Sequence, residues 1–287
     1  MKVAILGARG FLGTYLSRKL ITEGIEVIGY ILDSQKGIVS DFECRTITEL
    51  KNSTNSNMES FDVAINLAAR RSTQEVRYTD AEIDYYCYEL PKEFLNKTTS
   101  PNTLVINTSS YIQNYGGIAG KSVDSYGAAK ENLSNFVRQE STTGKYRARD
   151  LYLFTLYGFG DRRNHLVPQL LESAKTGNKI SLSPGNQLMN LLFIEDAVEN
   201  ILNCILSADN EHFEKNSVWS SEYFSVLELV SRIEGSIGRT INCGWGERDY
   251  AGHEMMSPWE IPMNQIPNFV AGTKLEDGIR RTWKLSN

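Results

Sequence analysis

The chain has 287 residues, 41% of them hydrophobic and 23% charged, which is the composition of an ordinary soluble globular protein. Its net charge of −5 predicts no nucleic-acid partner and no membrane-surface partner. The four cysteines form no Cys-x-x-Cys pair and the three histidines are dispersed, so we expect reduced thiols, a cytoplasmic location and no metal site.

The first predicted elements are a buried strand, a glycine-rich turn and a helix. An apolar run at 3–6 is followed by Gly7, Gly10 and Gly13, and an amphipathic segment continues to about residue 23. Gly7 permits the sharp turn, Gly10 admits a phosphate close to the backbone, and Gly13 lets the helix lie against the sheet. Because such a turn exposes backbone N–H groups at a helix N-terminus, it predicts a site for a dinucleotide pyrophosphate.

Strands and helices then alternate along the first half of the chain. The predicted strands are 25–32, 44–47, 61–67, 103–107 and 151–156, and the predicted helices are 81–97 and 125–140, with Ser125 as the cap of the second. Pro91 is expected to kink or restart the first of these helices. Apolar strands that alternate with helices indicate an α/β fold with a parallel sheet covered on both faces.

The pattern is looser beyond residue 158. Helices are predicted at 165–176, 194–207, 224–235 and 275–284, and strands at 180–183 and 190–193. We therefore divide the chain into a dinucleotide-binding domain at 1–160, to which 190–210 returns, and a smaller substrate lobe at 161–189 and 211–287. Substrate sites of open α/β sheets lie beyond the carboxyl ends of the strands, so the lobe is expected to close over the cofactor.

Tyr126 and Lys130 form the main candidate for chemistry. Four residues apart on a predicted helix, the phenol and the ammonium share one face. A nearby ammonium favours the phenolate, so we expect Lys130 to lower the pKa of Tyr126 from its ordinary value of about 10. Such a tyrosine can donate a proton to a carbonyl oxygen while hydride reaches the carbon. Ser109 and Ser110 end the preceding strand, and their hydroxyls are placed to hydrogen-bond the same oxygen.

Several motifs together resemble the extended short-chain dehydrogenase/reductase family, of the NAD-dependent epimerase/dehydratase type. They lie at 7–13, 66–69, 108–110, 126–130, 156–161 and 275–282. The resemblance implies a Rossmann doubly wound parallel sheet with a smaller C-terminal α/β substrate lobe. It also implies a nicotinamide cofactor and a nucleoside-diphosphate sugar as substrate.

The resemblance also assigns roles to individual residues. Tyr126 is the expected acid/base, Lys130 also holds the nicotinamide ribose, and Ser110, or otherwise Ser109, orients the sugar carbonyl. The expected cofactor-binding residues are Gly7, Arg9, Gly10, Phe11, Leu12, Gly13, Asp33, Leu67, Ala68, Ala69, Tyr126 and Lys130. The expected substrate-binding residues are Ser110, Tyr111, His165 and Arg248. By family analogy the protein is a homodimer, paired through the helices at 81–97 and 125–140.

Tyr111 distinguishes between the reactions of this family. The 4,6-dehydratases usually have Asp-Glu after the serine, and GDP-fucose synthases, which epimerise and reduce, have a cysteine there. His165, ahead of Leu166 to Pro168, does resemble the histidine of the GDP-fucose synthases. With one epimerising group missing, plain reduction is favoured, and the layout is most similar to CDP-abequose-synthase-like 4-ketoreductases. An NAD-dependent nucleotide-sugar epimerase and a non-catalytic dinucleotide sensor are the alternatives.

The cofactor and substrate phosphates raise separate questions. Ile31 stands where NAD-dependent epimerases have the acid that binds the ribose, although Asp33 lies close by. Arg9 resembles an arginine of NADPH-dependent relatives, so NADP is favoured, with NAD as the alternative. Met189 replaces an arginine that clamps the substrate diphosphate in the family, which leaves Arg248 as the expected phosphate ligand.

Overall fold

Parallel strands form the centre of the protein. The computed structural model describes residues 1–38, 40–53, 59–73, 76–207, 211–220, 222–259, 263–266, 268–269 and 272–286. Within these ranges the strands are β1 (Lys2–Leu6), β2 (Glu26–Ile31), β3 (Glu43–Thr46), β4 (Val63–Asn66), β5 (Leu104–Ser110), β6 (Arg147–Leu153), β7 (Thr155–Tyr157), β8 (Ile180–Ser181), β9 (Leu188–Met189), β10 (Leu191–Phe193), β11 (Phe213–Val218), β12 (Phe224–Ser225), β13 (Cys243–Gly244) and β14 (Asn264–Gln265).

Helices cover the sheet and build the smaller lobe. Those of the described ranges are α1 (Phe11–Thr22), α2 (Ile47–Asn52), α3 (Asp80–Asp84), α4 (Leu90–Thr98), α5 (Ser125–Thr142), α6 (Leu166–Thr176), α7 (Ile194–Leu206), α8 (Val226–Ile237) and α9 (Leu275–Ser286). None of them is long and apolar enough to cross a bilayer. Most lie within two residues of the predicted bounds.

The main sheet has the strand order β14-β11-β6-β5-β4-β1-β2-β3 among the described residues, and its pairs are all parallel. Successive side chains of a strand point to opposite faces, so each face of the sheet has its own apolar core. Ile5 packs on one face with Leu16 of α1, and Leu6 packs on the other with Phe94 of α4. This arrangement confirms the predicted doubly wound α/β fold.

The register of the strands brings the candidate cofactor loops to one edge of the sheet. Leu6 lies opposite Asn66 in β4, and Asn66 lies opposite Asn107 in β5. Gly7 follows β1 with φ +84°, a conformation that favours glycine. Because parallel strands end at the same edge, the turn after β1, the segment after β4 and the serines of β5 are neighbours.

The helical segment from Asp80 to Thr98 is interrupted by a π-helical turn at Tyr85–Glu89. Pro91 causes an interruption of this kind because it has no N–H and its ring crowds the carbonyl four residues earlier. That earlier residue is Cys87, which is buried and hydrogen-bonds through its sulfur to the backbone of Arg70 at 3.3 Å. The wider turn therefore fastens this helix to the segment that follows β4.

Two details of the second half differ from what the sequence suggests. Asp124, rather than Ser125, is the N-cap of α5, and its carboxylate accepts a hydrogen bond from the Gly127 amide at 2.8 Å. The polar segment Phe213–Val218 pairs with β6, so the main sheet extends into a stretch that we assigned to the smaller lobe. Three two-stranded pairs, β7 with β10, β8 with β13 and β9 with β12, are described outside the main sheet.

We expect Gly13→Ala to lower both the free energy of unfolding and the affinity for dinucleotides. A Cβ at residue 13 would lie 2.2 Å from the Gly7 carbonyl oxygen and 2.8 Å from Ala8 backbone atoms, so α1 must move away from the turn. Overpacking of this kind costs about 1–3 kcal/mol, which urea unfolding measures. The control is Gly235→Ala in α8, where no atom lies within 4 Å. Equal stability of the two variants would contradict the proposed close packing.

Candidate active site

The N-terminus of α1 is built to receive an anion. Gly10 is its N-cap, no side chain caps the helix, and the first turn contains no acidic residue. Other helices of the chain are capped, for example α2 by Thr46 and α8 by Ser225. The backbone N–H groups at the start of α1 are therefore not occupied by a capping side chain, and the helix dipole favours a phosphate there. The residues present fit a dinucleotide pyrophosphate.

Lys130 is buried at the carboxyl ends of two strands. Its ammonium donates hydrogen bonds of 2.9 Å to the Ala68 carbonyl, just after β4, and to the Thr108 carbonyl in β5. Burial lowers the pKa of Lys130, whereas Cys87 and Asp150 act in the opposite direction. An ammonium carries three N–H donors, so one more hydrogen bond is available to a ribose hydroxyl.

Tyr126 lies one helical turn before Lys130 on α5, with the Ser110 side chain nearby. Burial raises the pKa of Tyr126 to about 12, with a further contribution from Cys87. The expectation that Lys130 lowers this pKa is therefore wrong, because the described hydrogen bonds of the ammonium go to backbone carbonyls and burial has the largest effect. At neutral pH Tyr126 is a phenol, which can donate a proton.

Ser109 and Ser110 point in opposite directions because they are successive residues of β5. The Ser109 hydroxyl donates a hydrogen bond of 2.6 Å to Asp150, which is fully buried. Asp150 also accepts hydrogen bonds from Asn107, at 2.7 Å, and from Ser134. This arrangement places Ser110 beside Tyr126 and holds Ser109 inside the sheet.

The hydrogen bonds that Asp150 accepts from Asn107, Ser109 and Ser134 form a network that was not predicted from the sequence. This Asp150 network approaches Lys130 from two sides. Ser134 lies one helical turn beyond Lys130 on α5. On the other side, Asn107 accepts a hydrogen bond from Asn66, whose side chain in turn accepts one from the Ala68 amide at 3.1 Å. Burial raises the pKa of Asp150, and its three hydrogen-bond donors partly offset this. A lone Asp between Arg149 and Leu151 gave no sequence signal of this role.

Arg9 and Asp33 lie at the same end of the sheet, where the adenosine ribose of a dinucleotide is expected. The Arg9 guanidinium donates a hydrogen bond to the Ile38 carbonyl, in the loop after β2. Asp33 begins a short 3-10 helix after β2, and hydrogen bonds from Thr48 and Thr46 lower the pKa of its exposed carboxyl. Ile31 is buried in β2 and faces no solvent. Both candidate ribose ligands are therefore close to the expected position.

Two cavities that share several lining residues lie along α6 and β9. The larger one, of about 750 Å³, lies along α6, and the smaller one, of about 290 Å³, lies between β9 and the segment around Glu254. Arg248, Asn164, Gln169 and Ser181 line both. Tyr111 lines the smaller cavity, where its ring stacks on Phe154 at 4.7 Å. Met189, at the position of the family's arginine, lines the smaller cavity as well.

His165 is the N-cap of α6, and its buried Nδ1 atom has no hydrogen-bond partner among the described residues. Burial lowers the pKa of His165 to about 4, with a contribution from Arg163. The imidazole is therefore neutral at pH 7. This state suits a hydrogen bond to an uncharged ligand group and excludes a role as a permanent cation.

Arg71 is a residue of the site that our sequence reasoning missed. It forms an ion pair of 3.3 Å with Asp124, and its guanidinium lies 5.5 Å from the centre of the Tyr126 ring. The positive charge of Arg71 also contributes to lowering the pKa of His165 and of His253. Arg71 closely follows the Ala68-Ala69 motif after β4, and this position in the sequence could have indicated that it lies at the site.

The chain is similar to known proteins in both sequence and fold. The model of the NAD dependent epimerase/dehydratase family matches residues 3–216. The chain is 26% identical to a CDP-abequose synthase from Yersinia pseudotuberculosis over 274 residues, which cover 90% of this chain and 92% of the relative.

Solved structures with the same fold include two nucleotide-sugar enzymes. A UDP-glucuronic acid 4-epimerase from Bacillus cereus, in complex with UDP-glucuronic acid and NAD, has a TM-score of 0.81 at 17% identity, covering 99% of this chain and 98% of that chain. An NAD-dependent NDP-hexosamine 5,6-dehydratase of tunicamycin biosynthesis has a TM-score of 0.83 at 17% identity, covering 99% and 97% respectively.

We expect Asp150→Ala to destabilise the protein strongly. The variant leaves the buried donors of Asn107, Ser109 and Ser134 without their acceptor, and each orphaned donor costs about 1–3 kcal/mol. The free energy of unfolding in urea should therefore fall by about 2 kcal/mol or more. Asp41→Ala is the control, because its ion pair with Arg18 is mostly exposed and should contribute little. Equal losses in the two variants would argue against the buried network.

Proposed function

The chain belongs to the NAD-dependent epimerase/dehydratase family, and on that premise we propose that it reduces the 4-keto group of a nucleoside-diphosphate deoxyhexose. The similarity to a CDP-abequose synthase supports a nucleotide-sugar substrate. The nucleotide-sugar ligands of the epimerase structure support the same class.

The observation that supports the reductase proposal is the protonated phenol of Tyr126. Burial raises the pKa of Tyr126 to about 12, so the phenol keeps its proton at neutral pH. Epimerisation through a carbanion or dehydration needs a second acid or base. Tyr111 follows Ser110, and its ring stacks on Phe154 at 4.7 Å and contacts the tilted ring of Trp259 at 5.6 Å.

Each group of the site has one task in this reaction. A bound nicotinamide would supply hydride to the carbonyl carbon. Ser110 orients the carbonyl oxygen through its hydroxyl, and Tyr126 donates a proton to that oxygen as negative charge develops on it. Lys130 holds the nicotinamide ribose through the N–H donor that its bonds to the Ala68 and Thr108 carbonyls leave available. His165 hydrogen-bonds the sugar, and Arg248 binds the diphosphate.

The proposed cofactor is NADP(H), with NAD(H) as the alternative. Arg9 at the turn and Asp33 after β2 favour different ribose substituents, since a guanidinium suits a 2′-phosphate and a carboxylate suits a 2′-hydroxyl. Ile31, rather than an acidic residue, ends β2, which supports Arg9 as the residue that selects the cofactor. The homodimer through the α3–α4 and α5 helices stays a prediction.

We expect the protein to add two hydrogens to a nucleotide-linked 4-keto-deoxysugar in the presence of NADPH or NADH. Mass spectrometry measures the gain, on a panel of 4-keto-6-deoxy and 4-keto-3,6-dideoxy sugars carried by CDP, dTDP, GDP and UDP. Tyr126→Phe should lower kcat by about 100-fold or more, because it removes the proton donor. Isomerisation at constant mass would instead indicate an epimerase. No reaction in any arm, with cellular function intact in Tyr126→Phe, would indicate a dinucleotide sensor.

The two serines provide a matched pair of variants for that assay. Ser110→Ala should lower kcat by about 10- to 100-fold, since one donor to the developing oxyanion is lost. Ser109→Ala should act mainly on stability, lowering the free energy of unfolding by about 1 kcal/mol, because its hydroxyl serves Asp150. The reverse pattern would make Ser109 the catalytic serine.

Arg9→Ala should raise the KM for NADPH by about tenfold and change the KM for NADH little. A charge-assisted hydrogen bond to phosphate contributes about 1.5–3 kcal/mol, and 1.4 kcal/mol corresponds to a factor of ten. Asp33→Ala is the counterpart and should affect NADH more. Initial rates with each cofactor decide between them, and an Arg9→Ala variant that loses NADH affinity equally would exclude selection of the 2′-phosphate by Arg9.

A further inference from the structure

Two hydrogen-bond acceptors without partners belong to residues that line the smaller cavity. Oε1 of Gln187 and Oε2 of Glu254 are both inaccessible to solvent, and neither has a hydrogen-bond partner among the described residues. The Gln187 side chain belongs to a residue that is only 9% exposed. Buried polar atoms are normally hydrogen-bonded, so a pair of orphaned acceptors in one cavity indicates a ligand that donates.

The position of the Gln187 amide is determined by its neighbours. Its nitrogen donates a hydrogen bond of 2.6 Å to the Ser183 hydroxyl and lies 3.5 Å from the other carboxylate oxygen of Glu254. Turning the amide over would place its oxygen against that carboxylate, which is unfavourable. The amide oxygen is therefore the atom left to accept from a ligand.

The backbone around these acceptors is pinned by hydrogen bonds. Leu188 donates to the Met255 carbonyl at 2.6 Å, and Val226 donates to the Gln187 carbonyl at 3.1 Å. Apolar side chains of the same segments, Leu188, Met189, Val226 and Met255, line the cavity. Polar side chains such as Asp249 and His253 line the cavity as well. Apolar surface beside hydrogen-bond acceptors suits the flat face and donor edge of a heterocycle, or the face and hydroxyls of a ribose.

We propose that Gln187 and Glu254 form an acceptor subsite that selects the nucleoside of the substrate by its hydrogen-bond donors. The exocyclic amine of cytosine supplies two such donors, and carboxylates accept from it readily. Uracil presents a carbonyl oxygen at that place, which these acceptors would repel. The ribose hydroxyls have the same donor chemistry and are the second source.

The proposal of this subsite rests on the proposed nucleotide-sugar function, and it specifies which nucleotide the substrate carries. Isothermal titration with CDP, UDP and 2′-deoxy-CDP tests it without any turnover. If the amine is the donor, CDP should bind about tenfold or more tightly than UDP, and 2′-deoxy-CDP should resemble CDP. If the ribose is the donor, CDP and UDP should bind alike and 2′-deoxy-CDP more weakly.

The variants follow from the same chemistry. Glu254→Gln supplies an N–H donor and should reduce whichever preference the wild type has by about tenfold. Gln187→Met should weaken the preferred nucleotide. Asn186→Ala is the control, because Asn186 hydrogen-bonds the Tyr250 hydroxyl at 3.2 Å and does not line the cavity. Thermal unfolding and NADPH affinity of each variant establish that it is folded.

The outcomes separate the two proposals. Equal binding of all three nucleotides by the wild type, or preferences that both variants leave unchanged, would overturn the subsite and leave the reductase proposal standing. A folded protein that binds NADPH but none of the nucleotides would overturn the proposed function itself, and the subsite with it.

Discussion

The architecture of the site depends on the burial of one ammonium group. Lys130 is 1% exposed, and a buried charge is tolerated only where it is hydrogen-bonded and compensated. The carbonyls of Ala68 and Thr108 provide the hydrogen bonds, so β4, β5 and α5 must meet at one point. Asp150 lies behind them as a buried carboxylate. The contacts that hold Lys130 therefore also tie the ends of β4 and β5 together.

The same network gives the neighbouring serines different environments. Alternation along β5 sends Ser109 toward the buried carboxylate and Ser110 toward Tyr126. A hydroxyl committed to a buried carboxylate has little freedom to follow a reacting oxygen, whereas Ser110 is beside the proton donor. Burial raises the pKa of Tyr126, and the phenol beside Ser110 therefore stays protonated. A protonated donor is what reduction of a carbonyl requires.

Local sequence patterns predicted the glycine turn and the Tyr126–Lys130 pair of the candidate site. The remaining contacts join residues that are far apart in the sequence and were not predicted. The glycines of the turn lie in one short stretch at 7–13, and Tyr126 and Lys130 lie one helical turn apart on α5. In each case the spacing along the chain determines the local geometry. Asp150 of β6 accepts a hydrogen bond from Ser109 of β5, and Gln187 contacts Glu254, which lies far away in the sequence. Neither contact can be predicted from a local sequence pattern. Strand β11 was not predicted because it contains polar residues where a buried strand is expected to be apolar. Two of them, Glu214 and Lys215, interact with Arg149 and Tyr152 of β6.

The groups that we propose to contact the substrate differ in hydrogen-bonding character from one part of the site to another. Around Tyr126 they include donors, namely the Ser110 hydroxyl, the Tyr126 phenol and the Lys130 ammonium. Arg248 lines both cavities, and the orphaned acceptors of Gln187 and Glu254 line the smaller one. A ligand with a carbonyl at one end, an anion in the middle and N–H or O–H groups at the other matches this order in one orientation only. For the proposed substrate, this order favours the orientation that turns the keto group toward Tyr126.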